Sequence, residues 1–217
     1  MRVLFIGNSF TARNDLPGLV ARLAAAGGHK LDHQLISAGG ASLRMHWNRG
    51  EAARVIRETP LDVVVLQEQS TLPIKNARRF HENVGLFHQT IAERGARTAL
   101  YLTWARRSAP ESQRALTEAY EAIGRELSAT VIPAGIAWER VLQEHPGIVL
   151  HDPDGSHPSL AGSYLAACVF YATLFGENPE GLDGGPGELP SADAALLQAA
   201  AWSVVSGERP RASLGER

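Results

Sequence analysis

Several features that would narrow the function of a protein are scarce in this sequence of 217 residues. It has one cysteine, Cys168, which excludes an intrachain disulfide and favours a reducing, cytoplasmic setting. No apolar run approaches the roughly 18 residues of a spanning helix. Met1 leads directly into MRVLFI, without the basic segment and long apolar stretch of a secretory signal. We therefore expect a soluble protein that does not act at a membrane.

Excess charge of either sign is also lacking. Lys and Arg together number 21 against 23 acidic residues, which gives a formal net charge of −2. Nucleic-acid binders usually carry a clear basic excess, so we expect no nucleic-acid partner. The length is typical of one domain, which we place at 1–206, and the final stretch 207–217 has too few apolar residues to be anchored and is predicted to fray.

Short β-rich runs alternate with segments of helical periodicity. The predicted strands are 2–6, 33–37, 61–66, 97–103 and 129–133, and the predicted helices are 15–26, 49–58, 77–94, 110–128, 136–144, 159–175 and 191–205. The run Val63–Leu66 is apolar without alternation, as in a strand covered on both faces. This pattern predicts an α/β fold, a three-layer α/β/α sandwich around a five-stranded parallel sheet. Ligands of such sheets bind beyond the carboxyl ends of the strands.

A serine and a histidine–aspartate pair stand where chemistry is expected. Ser9 lies in Gly7-Asn8-Ser9-Phe10-Thr11, directly after the first strand, and Asp154 and His157 are three residues apart in a tight loop before a helix. That spacing lets the carboxylate orient the imidazole, which can then take a proton from the serine. Two other interpretations remain open: Ser9 as a helix N-cap, and His151, Asp152, Asp154 and His157 as a cation site.

These residues resemble the conserved blocks of the SGNH, or GDSL-type, hydrolases, which are serine esterases and lipases with a flavodoxin-like sandwich. GNSFT at 7–11 is similar to the nucleophile block, with Asn8 where many members have Asp. Ser37-Ala38-Gly39-Gly40-Ala41-Ser42 resembles the glycine block, and Asp154-x-x-His157-Pro158 resembles the last block. The resemblance extends over about residues 2–175 and implies Ser9, Asp154 and His157 as the catalytic residues.

The resemblance also implies an oxyanion hole made by the serine N–H, a glycine N–H and an asparagine side chain after the third strand. The glycine is expected to be Gly39, with Gly40 as the alternative, although both could simply serve a turn with positive φ. The third strand is followed by Gln67-Glu68-Gln69-Ser70, which offers no asparagine. A glutamine amide can donate the same bond, so we expect Gln69, or failing that Gln67, in this role.

Three aromatic or imidazole side chains are candidates for the wall of a substrate pocket. Trp104 follows the fourth strand, and His46 and Trp47 follow the glycine block. Each could equally be a packed core residue. Cys168 lies on an apolar helical stripe and is expected in the core.

The sequence thus predicts a serine ester hydrolase that acts through an acyl-enzyme on a small-molecule ester, with no metal or organic cofactor implied. The absence of a long apolar insertion favours short acyl groups, and the family resemblance favours acetyl esters of carbohydrates. One alternative is a thioesterase or acyltransferase with the same three residues. The other is a non-catalytic carbohydrate-binding module that keeps the scaffold.

Overall fold

A computed structural model describes residues 1–207 of the chain. They form one sheet of five parallel strands in the order β2-β1-β3-β4-β5, the order of flavodoxin-like folds. The strands are β1 Arg2–Gly7, β2 Asp32–Ser37, β3 Val63–Leu66, β4 Arg97–Tyr101 and β5 Thr130–Ile132. The predicted five-stranded parallel sheet is therefore confirmed, and each strand begins and ends within two residues of its predicted bounds.

Ten helices cover the two faces of the sheet in this part of the chain. They are α1 Ser9–Ala12, α2 Leu16–Ala26, α3 Leu43–Arg49, α4 Glu51–Glu58, α5 Leu72–Lys75, α6 Ala77–Glu93, α7 Gln113–Leu127, α8 Ala134–Glu144, α9 Leu160–Phe175 and α10 Ser191–Val205. Two short 3-10 turns, Arg13–Asp15 and Pro110–Ser112, precede α2 and α7. Three short helices, α1, α3 and α5, were not predicted.

Alternate residues of each strand enter two separate cores. Val3 and Phe5 of β1 pack with α2, α8, α9 and α10, whereas Leu4 and Ile6 pack with α3, α4, α6 and α7. Cys168 is fully buried in the first core, as its position on an apolar stripe predicted. Because both faces of the central strands are covered, β1 and β3 are apolar runs without alternation, whereas the edge strand β2 is mostly exposed.

The carboxyl ends of the strands are therefore the part of the sheet that remains open to a ligand. At this edge β1 ends at Gly7, where a Cβ would lie 2.6 Å from Oε1 of Gln67 and 2.5 Å from Oγ1 of Thr11. Only glycine lets the strand exit pass so close to these two side chains. The chain that follows Gly7 carries Ser9.

Within residues 1–207, none of the helices combines the length and the apolar composition needed to cross a bilayer. The predicted frayed tail, 207–217, lies outside the described residues except for Gly207, so it stays a prediction.

Candidate active site

Ser9 is held at the sheet edge by the residue before it. Oδ1 of Asn8 accepts a hydrogen bond from the backbone N–H of Phe10 at 3.0 Å and so caps α1, of which Ser9 is the first residue. Nδ2 of Asn8 donates to the carbonyl of Ala41 at 3.0 Å, in the glycine block. An aspartate could not make this second bond, which explains why an asparagine suits this position. The helix cap is thus Asn8, and the hydroxyl of Ser9 is left available for another contact.

That contact is His157. Oγ of Ser9 lies 2.8 Å from Nε2 of His157, although 148 positions separate the two residues. Nδ1 of the same ring lies 2.5 Å from Oδ2 of Asp154. The folded chain therefore brings Ser9, His157 and Asp154 into one hydrogen-bonded series, in the order that the sequence predicted.

The carboxylate of Asp154 is fixed by its own loop. Its Oδ1 accepts the backbone N–H groups of Ser156 and His157, both at 2.9 Å. The bond from the His157 ring, followed by these two N–H groups, holds the pKa of Asp154 well below its usual range. A carboxylate that stays ionised favours the proton on Nδ1 of His157, which leaves Nε2 as the acceptor that faces Ser9.

The loop that carries Asp154 and His157 is a small hairpin attached to the chain after β4. His151 pairs with Pro158 across its base, and the N–H of Asp152 donates to the carbonyl of His157 at 2.8 Å. Two residues after β4 also hold the hairpin. Nε1 of Trp104 donates to the carbonyl of Ser156 at 3.0 Å, and the N–H of Arg107 donates to the carbonyl of Gly155 at 2.8 Å. The hairpin is therefore held by side chain and backbone together.

A second attachment joins the hairpin to the Ser9 segment itself. Asn14 has a left-handed backbone with φ of 54°, and its Nδ2 faces the carbonyls of Pro158 and Ser159 at 3.2 and 3.1 Å and Oγ of Ser163 at 2.9 Å. Arg13 forms an ion pair with Asp152. The turn that follows α1 thus binds both ends of the histidine hairpin. Sequence reasoning missed Asn14. The signal available was that asparagine adopts a positive φ more readily than most residues, which indicates a turn at this position.

Four of the candidate oxyanion donors at this edge can still donate a hydrogen bond. Within residues 1–207, the backbone N–H groups of Ser9, Gly39 and Gly40 have no acceptor. Gly39 and Gly40 are exposed, and Gly40 has φ of 65°. The fourth donor is Nε2 of Gln69, because Oε1 of that amide accepts from Thr71 N, Thr71 Oγ1 and Leu72 N at 3.0, 3.1 and 3.0 Å. Three surrounding donors fix which end of the amide is oxygen, so its Nε2 points elsewhere.

Gln67, the alternative glutamine, is used for structure instead. It is fully buried; its Oε1 accepts from the N–H of Asn8 at 2.8 Å and from Oγ1 of Thr11 at 3.0 Å, and its Nε2 donates to the carbonyl of Glu68. One N–H of this buried amide is in use and the other is enclosed in the interior, whereas Nε2 of Gln69 donates to no group within residues 1–207. Gln69 therefore stays the first candidate and Gln67 the second.

The three pocket candidates are packed side chains. Trp104 is 1% exposed and lies between Phe10, at a ring distance of 5.1 Å, and Trp138, at 3.7 Å. His46 is 2% exposed and places Nε2 2.7 Å from the carbonyl of Gly7. Burial lowers the pKa of His46, so the neutral ring donates to that carbonyl.

Trp47 packs edge-on against Phe87 of α6, at a ring distance of 5.2 Å. The expectation that Trp104 and His46 line an open pocket therefore differs from the structure, because tertiary packing covers their rings. Trp47 is only partly buried, so its place in a pocket stays a prediction. Trp104 nevertheless helps to hold the hairpin of Asp154 and His157 in place through its hydrogen bond to the carbonyl of Ser156.

The cation-site interpretation finds no support in the arrangement of its donors. Within residues 1–207, no three His, Cys, Asp or Glu side chains converge as metal ligands. Asp152 faces Arg13, and Nε2 of His151 lies 3.1 Å from the carbonyl of Ala105. Two of the four proposed ligands are thus engaged with other parts of the protein.

Comparison with known proteins gives structural relatives only. No family model matches this sequence, and no curated protein matches it. A candidate SGNH hydrolase from Slackia heliotrinireducens is 25% identical, with a TM-score of 0.68 over 80% of this chain and 98% of that one. A DUF4886 family protein from Bacteroides uniformis is 20% identical, with a TM-score of 0.80 over 96% of both chains. A mutant of an acetyl-xylooligosaccharide esterase from Geobacillus is 17% identical, with a TM-score of 0.60 over 80% of this chain and 93% of that one.

The structure of the Slackia protein is similar over most of its length, and that protein is described as a hydrolase of the SGNH class. In this chain the nucleophile, glycine and last blocks lie together at one edge of a flavodoxin-like sheet. The shared fold and the order of these blocks make this chain similar to the SGNH hydrolases, which supports the resemblance found in the sequence.

Proposed function

We propose that this chain is a serine ester hydrolase with Ser9 as nucleophile, His157 as general base and Asp154 as the residue that orients the imidazole. The observation that supports the proposal most is the 2.8 Å distance between Oγ of Ser9 and Nε2 of His157. A serine hydroxyl is a weak nucleophile by itself and needs a base within hydrogen-bond reach. The 2.5 Å contact between Nδ1 and Asp154 supplies the third member.

In the proposed reaction, Oγ of Ser9 forms a bond to the acyl carbon while its proton passes to Nε2 of His157. The tetrahedral intermediate then breaks its bond to the alcohol oxygen, which takes that proton and leaves. Water repeats the two steps on the acyl-enzyme: it loses a proton to His157, and Ser9 regains one as the acid departs. No redox step or co-reactant other than water is needed.

Negative charge on the former carbonyl oxygen needs donors that are already in place. We propose the N–H of Ser9, the N–H of Gly39 with Gly40 as the alternative, and Nε2 of Gln69, each of which has no acceptor within residues 1–207. Donors that point at developing charge and do not reorganise are usually the largest catalytic contribution in acyl transfer. Gln69 would replace the asparagine that the family resemblance implies.

We further propose a short acyl group, with acetyl esters of carbohydrates as the substrate class and the cytoplasm as the location. One structural relative is an acetyl-xylooligosaccharide esterase, which favours this class. Gly39 and Gly40 are exposed, so the proposed site would be open to solvent on the side of the glycine block. The single cysteine is compatible with a reducing compartment.

The test is hydrolysis of p-nitrophenyl acetate by the wild type and by Ser9→Ala. We expect Ser9→Ala to lower kcat/KM by about 10³-fold or more, because the nucleophile is removed. Ser108→Ala is the matched control, since Ser108 is exposed and lies outside the three blocks, so the rate should be unchanged. A loss below tenfold for Ser9→Ala would remove Ser9 from the role of nucleophile.

Covalent labelling gives an independent check. A phosphonate reagent specific for activated serines should add one adduct, which peptide mass spectrometry should locate on Ser9. A comparison of acetyl esters with acyl thioesters, in water and with added sugar acceptors, would then separate hydrolysis from thioester cleavage and acyl transfer. Labelling of another serine would contradict the proposal.

A further inference from the structure

Glu68 is a fully buried carboxylate for which the proposed reaction has no use. It is 0% exposed, and it lies two residues beyond Leu66, the last residue of the fully buried strand β3. Burial raises its pKa above the usual value of 4.5, against the opposing effect of its hydrogen bonds. A carboxyl group in such a place is costly unless its oxygens are hydrogen-bonded, so its contacts indicate what it is for.

Both oxygens of Glu68 accept hydrogen bonds from other segments. Oε1 accepts the backbone N–H of Leu43 at 3.1 Å and that of Gln69 at 2.7 Å. Oε2 accepts Nδ2 of Asn83 at 2.8 Å. Oδ1 of Asn83 in turn accepts Nε of Arg44 at 3.0 Å, which fixes the orientation of the Asn83 amide. The carboxylate therefore joins three elements: α3, the exit of β3 and α6.

The two backbone groups on Oε1 belong to the two segments that carry the candidate oxyanion donors. Leu43 is the residue that follows the glycine block, 37–42, and Gln69 carries the amide donor itself. These segments leave β2 and β3, which are not neighbours in the sheet because β1 lies between them. β2 and β3 each pair with β1 and not with each other, so no backbone ladder joins the two segments directly, whereas Glu68 does.

We propose that Glu68 is a positioning residue that sets the distance between the glycine donor and the Gln69 donor around the oxyanion. The inference rests on the proposed function. Glu68 does not touch the reacting atoms; it acts through Leu43 and Gln69. Oxyanion donors must lie within about 2.7–3.1 Å of the developing charge, so a small shift of either segment costs rate.

Only a carboxylate fits this network as it stands. An amide at position 68 would turn its NH₂ either toward the N–H groups of Leu43 and Gln69 or toward the NH₂ of Asn83, and donors would face donors. Asn83 cannot reverse its amide without losing the bond from Arg44. The network can, however, be rebuilt with reversed polarity: an amide at 68 donates to a carboxylate at 83, which still accepts from Arg44.

The experiment compares the wild type with Glu68→Gln, Asn83→Asp and the double variant, using p-nitrophenyl acetate. For Glu68→Gln we expect kcat to fall about 10- to 100-fold with KM within threefold, because the substrate is still bound while the donors are displaced. Asn83→Asp places two carboxylates together and should also lose rate. The double variant should recover to within about threefold of the wild type.

Hydrogen exchange supplies a readout that does not depend on catalysis. The amide protons of Leu43 and Gln69 should exchange at least about tenfold faster in Glu68→Gln than in the wild type, and should be protected again in the double variant. If Glu68→Gln keeps the wild-type kcat, or if the double variant folds and shows protected amides but stays as slow as Glu68→Gln, the inference is overturned. A wild-type chain that hydrolyses no ester would instead overturn the proposed function. In that case, unchanged exchange of the Leu43 and Gln69 amide protons in Glu68→Gln would also overturn the proposal that Glu68 holds these two segments.

Discussion

Gln69 offers a test in which one side chain has two separable duties. Its Oε1 accepts three hydrogen bonds from Thr71 and Leu72 at the start of α5, and its Nε2 is the proposed oxyanion donor. Gln69→Glu keeps an acceptor where Oε1 stands and removes the donor. Gln69→Ala removes both. The two substitutions should therefore affect stability and rate differently.

The size of each effect follows from these contacts. Loss of one oxyanion donor typically costs about 2.7–4 kcal/mol, or 10²- to 10³-fold in kcat, so both variants should be slowed at least 10²-fold. Gln69→Glu should be the slower one, because its charge repels the oxyanion. Loss of a capping acceptor costs about 1 kcal/mol, which lowers Tm by about 2–4 °C for a chain of this size. That decrease should appear in Gln69→Ala and not in Gln69→Glu.

The assays are p-nitrophenyl acetate turnover and thermal unfolding followed by circular dichroism, on the same preparations. The prediction is a reversed order: the more stable of the two variants is the less active. If Gln69→Glu retained more than a tenth of the wild-type kcat, Nε2 would not face the oxyanion. If both variants lost the same Tm, the capping argument would be wrong.

Two further predictions concern the histidines and their neighbours. Asp154→Asn should lower kcat about 10²- to 10⁴-fold. An amide that keeps the bonds to Ser156 N and His157 N turns its NH₂ toward Nδ1 of His157 and so favours the wrong tautomer of the ring. The control Asp152→Asn, in the same hairpin, should keep kcat within about fivefold of the wild type, and equal losses in the two variants would refute the role of Asp154. Burial lowers the pKa of His46 below its ordinary 6.5, so the unfolded chain takes up the proton first as pH falls, and the free energy of unfolding should drop by up to about 1.4 kcal/mol per pH unit below 6.5. His46→Gln should reduce the slope of unfolding free energy against pH, measured by urea denaturation between pH 5 and 7.5, and an unchanged slope would show that His46 is protonated in the folded protein.

The architecture was predictable from the sequence because strand and helix periodicities are local. The apolar run Val63–Leu66 indicated a buried parallel strand, and the spacing of the other runs indicated that strands and helices alternate along the chain. The short helices α1, α3 and α5 escaped detection because they have at most seven residues, fewer than the stretch over which a 3.6-residue period becomes visible. The serine segment therefore read as a loop.

The choice between the two glutamines could not be made from sequence. Gln67 and Gln69 stand two positions apart after β3, and either amide is long enough to reach the oxyanion. The difference between them arises from the close approach of Gly7 and Thr11 to Gln67, which holds the Gln67 side chain in the interior. The same limitation applies to His46 and Trp104, whose environments are created by β1 and α8 from elsewhere in the chain.

Glu68 gave a signal that local reasoning did not use. It directly continues a fully buried run, so its carboxylate had to be either turned out to solvent or fully satisfied inside. Its partners Leu43 and Asn83 lie 25 and 15 positions away, and no pattern in the sequence couples them. Pairings of this kind are set by the folded arrangement of the loops.

The bonds from Asn14 to Pro158, Ser159 and Ser163 have a consequence for how the protein is made. During synthesis, Ser9 leaves the ribosome 148 residues ahead of His157, and the contact between Asn14 and Ser163 can form only later still. A nascent chain halted before that point would carry an unreactive Ser9. If the proposed function holds, modification of Ser9 by a phosphonate would therefore report when α9 packs beside the Ser9 segment during translation.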